Sequence, residues 1–153
     1  MDRTMANWSA FEADAPDLAG AGRRLIDATG IVFLATVRRD GAPRLHPIVP
    51  IFAGEGIYVA IPASSPKRRD LLRVGRYALH ASLGPDDEEF ALTGVAVPVT
   101  DAAIREAIVA AAQHTIHATD SLFEFQISRC LHTIWERVGQ PDTRPIRRRW
   151  DVQ

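Results

Sequence analysis

The 153-residue sequence holds a single cysteine, Cys130. One cysteine excludes an internal disulfide and a cysteine-cluster metal site, and it suits a reducing compartment, so the expected location is cytoplasmic. No stretch approaches the roughly 20 apolar residues that a membrane-spanning helix needs, and no apolar run of the signal-peptide kind follows Met1-Asp2-Arg3-Thr4. No membrane partner is expected. A formal net charge of −1 gives no overall electrostatic pull, so no nucleic-acid partner is expected either. The glycine fingerprints of nucleotide folds are missing. No G-x-G-x-x-G follows a strand and no G-x-x-x-x-G-K-[ST] occurs, which excludes the usual dinucleotide turn and the P-loop. Lysine is almost absent as well: of 18 Lys and Arg residues, only Lys67 is a lysine. In a chain that otherwise places positive charge with Arg, a solitary Lys invites a functional explanation.

What the sequence does hold is an average globular composition, 46% apolar and 24% charged. A domain of about 150 residues buries roughly 68 to 70% of its unfolded surface, enough for a core of its own. One domain over residues 1–153 is expected, with an N-terminal helix at about 8–29, a barrel at about 31–138 and a tail at 139–153. Ser9 and Glu12 make a capping box, Pro16 suits a first helical turn, and Gly30 stops the helix. Residues 31–38 are β-branched and apolar and lead into Asp40-Gly41, a hairpin signal. The returning strand, 45–52, carries Pro47 and Pro50, which cannot donate ladder hydrogen bonds and indicate an edge or a bend. Further strands are predicted at 57–61, 77–83, 90–99 and 123–135, with a helix opening at Pro66 and another capped by Asp101. Six antiparallel strands at short spacing, with helices between some of them, predict an α+β fold of barrel type. The Pro- and Arg-rich tail is expected to be irregular or to cross to a partner.

The informative segment runs Ile57-Tyr58-Val59-Ala60-Ile61-Pro62-Ala63-Ser64-Ser65-Pro66-Lys67-Arg68: a strand, a turn with hydroxyls, then a helix start loaded with cations. Unpaired N–H groups and partial positive charge at the helix start, hydroxyl donors at Ser64 and Ser65, and the charges of Lys67 and Arg68 together suit an anion. A capped surface helix with solvated charges would carry the same residues.

The order Gly56, Ile61, Ser65, Lys67, Leu71, after a glycine hairpin and an extended strand, resembles the FMN-binding split β-barrels related to pyridoxamine 5′-phosphate oxidase. Leu34-Ala35-Thr36-Val37-Arg38-Arg39-Asp40-Gly41-Ala42-Pro43 is similar to the opening of the same family. The resemblance covers about residues 30–83. It implies a split barrel, a homodimer with the cofactor at the subunit interface, His46-Pro47-Ile48-Val49 along the flavin ring, and Ile61, Ser65, Lys67 and Arg68 at the flavin side chain and phosphate. The end of the chain, Arg147-Arg148-Arg149-Trp150, departs from the oxidase proper. The implied function is therefore an FMN-dependent oxidoreductase acting on an unknown small molecule. The alternative is a non-catalytic binder of flavin, a deazaflavin coenzyme or haem. No catalytic side chain is assigned, because hydride chemistry belongs to the cofactor.

Other constellations carry less. His114 and His117 lie at i and i+3 and could join His132 or Cys130 around a metal, but no carboxylate pattern accompanies them and no metal is expected. Asp86-Asp87-Glu88-Glu89 reads as a solvated acidic loop.

Overall fold

The computed structural model describes residues 4–153. Two helices open the chain, α1 (Trp8–Asp14) and α2 (Pro16–Thr29), where the sequence predicts one. The break is at Ala15, whose φ of −136° and ψ of 64° lie outside the helical region. Pro16 is the cause, because its ring crowds the preceding residue out of the α conformation. The cap differs from the expected Ser9–Glu12 box too: the Asn7 side chain accepts from the Ala10 amide at 2.8 Å. Gly30 does end α2, in the left-handed region at φ 70° that a glycine enters without strain.

Eight strands follow: β1 (Val32–Val37), β2 (Pro43–Ile48), β3 (Ile51–Ala53), β4 (Gly56–Ile61), β5 (Arg76–Ala81), β6 (Glu89–Pro98), β7 (Ser121–Glu136) and β8 (Arg144–Asp151). Helix α3 (Pro66–Arg73) lies between β4 and β5, and α4 (Ala102–Ala111) between β6 and β7. All pairings are antiparallel, in the order β2-β1-β5-β6-β7-β4-β3, with β8 added to β7. The α+β architecture is the one expected, but the strand count is eight instead of six. One extra strand arises where Val49-Pro50 splits the predicted 45–52 strand into β2 and β3. The other is the tail, where Arg144–Asp151 pairs with Arg129–Glu136 and is not irregular. Pro43 and Pro47 are tolerated in β2 because that strand pairs only with β1 and its outer edge needs no donors.

Strand β7 is the spine. Along one edge it pairs with β6, and along the other first with β4 and then with β8. The β6–β7 register shifts between Thr93 and Gly94. A Cβ on Gly94 would stand 1.8 Å from the Gln126 carbonyl oxygen, so only glycine lets the two backbones approach here. Phe90, Phe123, Phe125, Leu92 and Ile127 fill the interior, fully buried. The N-terminal helices close it through aromatic contacts. Trp8 meets Phe52 edge-on at 4.9 Å, and Phe11 packs against Trp150 of β8 at the same separation. The predicted acidic loop is only partly solvated: Glu88 accepts from Arg24 at 2.6 Å and pairs with the buried His132 at 2.8 Å.

Candidate functional site: a cavity beside the start of helix α3

Strand β2 alternates by its pleat. Arg44, His46 and Ile48 turn toward the protein, while Pro43, Leu45 and Pro47 stay exposed. Immediately after β2 the chain bends at Val49-Pro50, and across from this bend β4 runs out into Pro62. Between the two lies a cavity of about 380 Å³, walled by Pro47, Ile48 and Val49, by Val59 and Pro62, and by Lys67 and His114. Such a volume is within the roughly 300 to 1,000 Å³ of small-molecule sites. Four residues singled out in the sequence, Pro47, Ile48, Val49 and Lys67, thus meet on one wall system.

The chain direction at α3 explains the cationic end. Ser65 takes an extended conformation, φ −71° and ψ 134°, and Pro66 opens the helix. The Ser65 side chain caps nothing, so its hydroxyl is not spent on its own helix. Lys67 follows on the cavity side. Burial, reinforced by the nearby Arg44 charge, lowers its ammonium below the ordinary value of 10.5. His46 is lowered as well, first by burial and then by the charges of Lys67 and Arg44, with Asp70 opposing. The imidazole is therefore neutral near neutral pH. Its Nε2 is buried and has no hydrogen-bond partner. Beyond burial, Arg44 acts on both groups and Lys67 on His46, a local positive potential in which an anion is stabilised and a further cation is not.

Behind these groups stands Asp70. Its carboxylate is 4% exposed and accepts from Thr36 Oγ1 at 2.7 Å and from Arg44 Nε at 2.8 Å. Burial would raise it, but the hydrogen bonds from Arg44 and Thr36, with the Arg44 and Arg73 charges, hold it below 3.8. Asp70 thereby fixes the Arg44 guanidinium, an arrangement that pattern reading missed, since nothing local links residues 36, 44 and 70.

The other four candidates do not line the cavity: His46 stands on β2 beside it and Ser65 precedes α3. Ile61 is fully buried in the core, and Arg68 donates from Nε to Ser121 Oγ at 2.7 Å, toward the start of β7. His114, weighed in the sequence as a metal ligand, instead joins the cavity wall from the segment after α4. Among the described residues, no three His, Cys, Asp or Glu side chains are grouped to hold a metal ion, and no helix is long and apolar enough to cross a membrane.

Several solved structures share this fold. A Clostridium acetobutylicum protein related to general stress protein 26 superposes with a TM-score of 0.65 at 13% identity, covering 89% of this chain and 96% of that one. PhzG of Burkholderia lata, solved with tetrahydrophenazine-1-carboxylic acid, gives 0.58 at 14%, covering 90% and 95%. A heme binding protein of Mycobacterium smegmatis gives 0.63 at 19%, with 86% of this chain but only 58% of that one covered. No curated protein sequence matches the chain. The profile of pyridoxamine 5′-phosphate oxidase matches residues 18–134, a span that holds β1 to β6, the cavity, Ser65, Lys67 and nearly all of β7. The chain therefore belongs to the pyridoxamine 5′-phosphate oxidase family, with its split-barrel fold.

Proposed function

We propose that the chain binds FMN in the cavity between the β2 bend and the start of α3, and works as a flavin-dependent oxidoreductase on a small molecule. The observation that carries this reading is a desolvated Lys67 on a largely apolar cavity wall, with an orphaned, buried His46 Nε2 on the adjoining strand β2. A neutral imidazole nitrogen suits a hydrogen bond to a polar ring edge, and Lys67 with the uncommitted Ser65 hydroxyl suits a phosphate. The residues present thus fit the group. Pro47, Ile48 and Val49 would flank the ring and exclude water from one side. Arg68, bonded to Ser121, is left out of the phosphate set. The flavin, when bound, supplies two-electron transfer, and the protein supplies orientation and polarity.

The reading extends to a cytoplasmic homodimer. Ile31, Phe33, Leu45 and Val49 share the outer face of β1 and β2 and remain 40 to 66% exposed. Ile31 and Val49 also line the cavity, so a second copy laid on this face would cover apolar surface and close the site together. Cys130, buried and unpaired, suits a reducing compartment.

The decisive measurement is the visible absorption spectrum of purified protein, with and without added FMN. A flavin spectrum supports the reading; a colourless protein that takes up no FMN overturns it. Oxidation of a reduced nicotinamide by the loaded protein then separates an enzyme from a store. A haem-binding reading draws on one observation, the His114 imidazole set against the apolar Ile31, Val49 and Val59, and a Soret band lost in His114→Ala would favour it.

A further inference from the structure

The opposite flank of α3 carries a second cavity, of about 460 Å³, into which Arg38, Arg39, Arg44, Arg69 and Arg73 converge. Two elements bring them there. Pro66, Arg69, Asp70 and Arg73 share one helical face, at spacings of three and four residues. Arg38, Arg39 and Arg44 come from the β1–β2 hairpin, which packs beside it. Lys67 lies one residue on from Pro66, about 100° further round the helix, and does not line this second cavity.

Only two acids face the five guanidiniums. Asp40 stands 3.6 Å from Arg38. Asp70 holds Arg44 at 2.8 Å and Arg73 at 3.8 Å, while Arg73 also donates to the Val37 carbonyl. Arg39 and Arg69 have no carboxylate within salt-bridge distance among the described residues. The lining therefore carries three more positive than negative charges, and a buried carboxylate pins two of its arginines. An idle surface patch would spread such like charges apart. Here the hairpin and the helix crowd them, and the repulsion is relieved when oxyanions take the centre. Guanidinium forks match phosphate oxygens two at a time, and five of them exceed what one phosphate can use.

We propose that this pocket binds a diphosphate group, free or carried by a nucleotide, independently of whatever occupies the cavity on the Lys67 side. Arg39 and Arg69 are its free arms, and Arg44 and Arg73 its fixed floor.

The test is calorimetric titration of the full-length protein with inorganic pyrophosphate, with orthophosphate and with ADP, in four forms. These are wild type, Arg39→Ala/Arg69→Ala, Lys67→Ala, and Arg147→Ala/Arg148→Ala on the exposed β8. The proposal expects pyrophosphate to bind more tightly than orthophosphate, and a loss of ten-fold or more in the Arg39/Arg69 variant. The Lys67 and β8 variants should stay within about two-fold of wild type. ADP binding that follows pyrophosphate through the four forms marks a nucleotide pocket, and pyrophosphate binding alone marks one for the free anion. Absence of pyrophosphate binding overturns the proposal. So does an equal loss in the β8 variant, which would reduce the effect to net charge, or a loss confined to Lys67→Ala, which would place the anion in the other cavity.

Discussion

Replacing Asp70 by Asn removes a charge while keeping the shape, and the structure says what should follow. One oxygen of the 4%-exposed carboxylate accepts from both Thr36 and Arg44. If the amide oxygen takes its place, both hydrogen bonds survive, but the Thr36 bond falls to neutral strength and the Arg44 bond loses its anionic acceptor. The difference is about 1 kcal/mol each, or about 2 kcal/mol together. The new NH2 group then faces Arg73, where Oδ1 had stood at 3.8 Å, which adds to the loss. The pH dependence has a definite sign. Asp70 titrates below its ordinary 3.8 in the folded state, so its stabilisation is complete above that value and is lost as pH falls through the lower, folded one. Urea denaturation should find Asp70→Asn about 2 kcal/mol less stable near pH 7, with the gap closing at pH values below the ordinary carboxylate range. A gap under about 0.5 kcal/mol near neutrality, or one that persists undiminished in acid, would refute the account of Asp70 as the charged anchor of Arg44.

Other substitutions probe the cavity and the sheet. Lys67→Ala should weaken FMN binding by about 1.5 to 3 kcal/mol, the worth of a hydrogen bond to a charged group, and leave riboflavin binding nearly unchanged. Fluorescence titration with the two ligands reads this directly, and equal losses for both would remove the phosphate role. Gly94→Ala should cost about 3 kcal/mol, because the Gln126 oxygen 1.8 Å from the added carbon is backbone and cannot swing away. For a chain of this length that lowers Tm by about 6 to 12 °C in a thermal melt. Trp150→Ala should cost about 2 kcal/mol, less than a fully buried ring, through loss of the Phe11 contact and the Nε1 bond to Asp14 at 2.5 Å. Trp150→Phe should recover the packing part alone.

Local chemistry made much of this structure legible. A β-branched apolar run exposed the strand around Phe33 and alternation those around Leu79 and Phe125, glycine and proline marked the turns, and the Ser65-Pro66-Lys67 helix start stood where its residues said. The errors came from competition between neighbours. The Ser9–Glu12 pattern was outranked by Asn7, two residues earlier, and Pro16, in a first helical turn as expected, opens a second helix because its ring turns Ala15 out of the helical region. Strand β8 was obscured because alternation is weak in Arg144–Asp151, where three successive arginines interrupt it. Only pairing with β7 makes a strand of it. At the site, Lys67 and the β2 segment could be named because each is short and local. Asp70 and Thr36 could not, and His114 was weighed only for a metal, since their roles come from contacts between segments far apart in the chain.

The reach of β7 also shapes how the molecule must come together. All four α-helices and six of the eight strands precede Ser121, yet Ile61 pairs with Ser121 itself, a loop of about 60 residues whose closure entropy is lost before its contacts form. Until β7 leaves the ribosome, β6 presents a ten-residue edge and the β3–β4 hairpin has no further strand to pair with. Unpaired edges of that length are templates for other chains. Nascent or truncated forms that stop short of Ser121 are therefore the aggregation-prone species of this protein, and protection during synthesis must last until the seventh strand arrives.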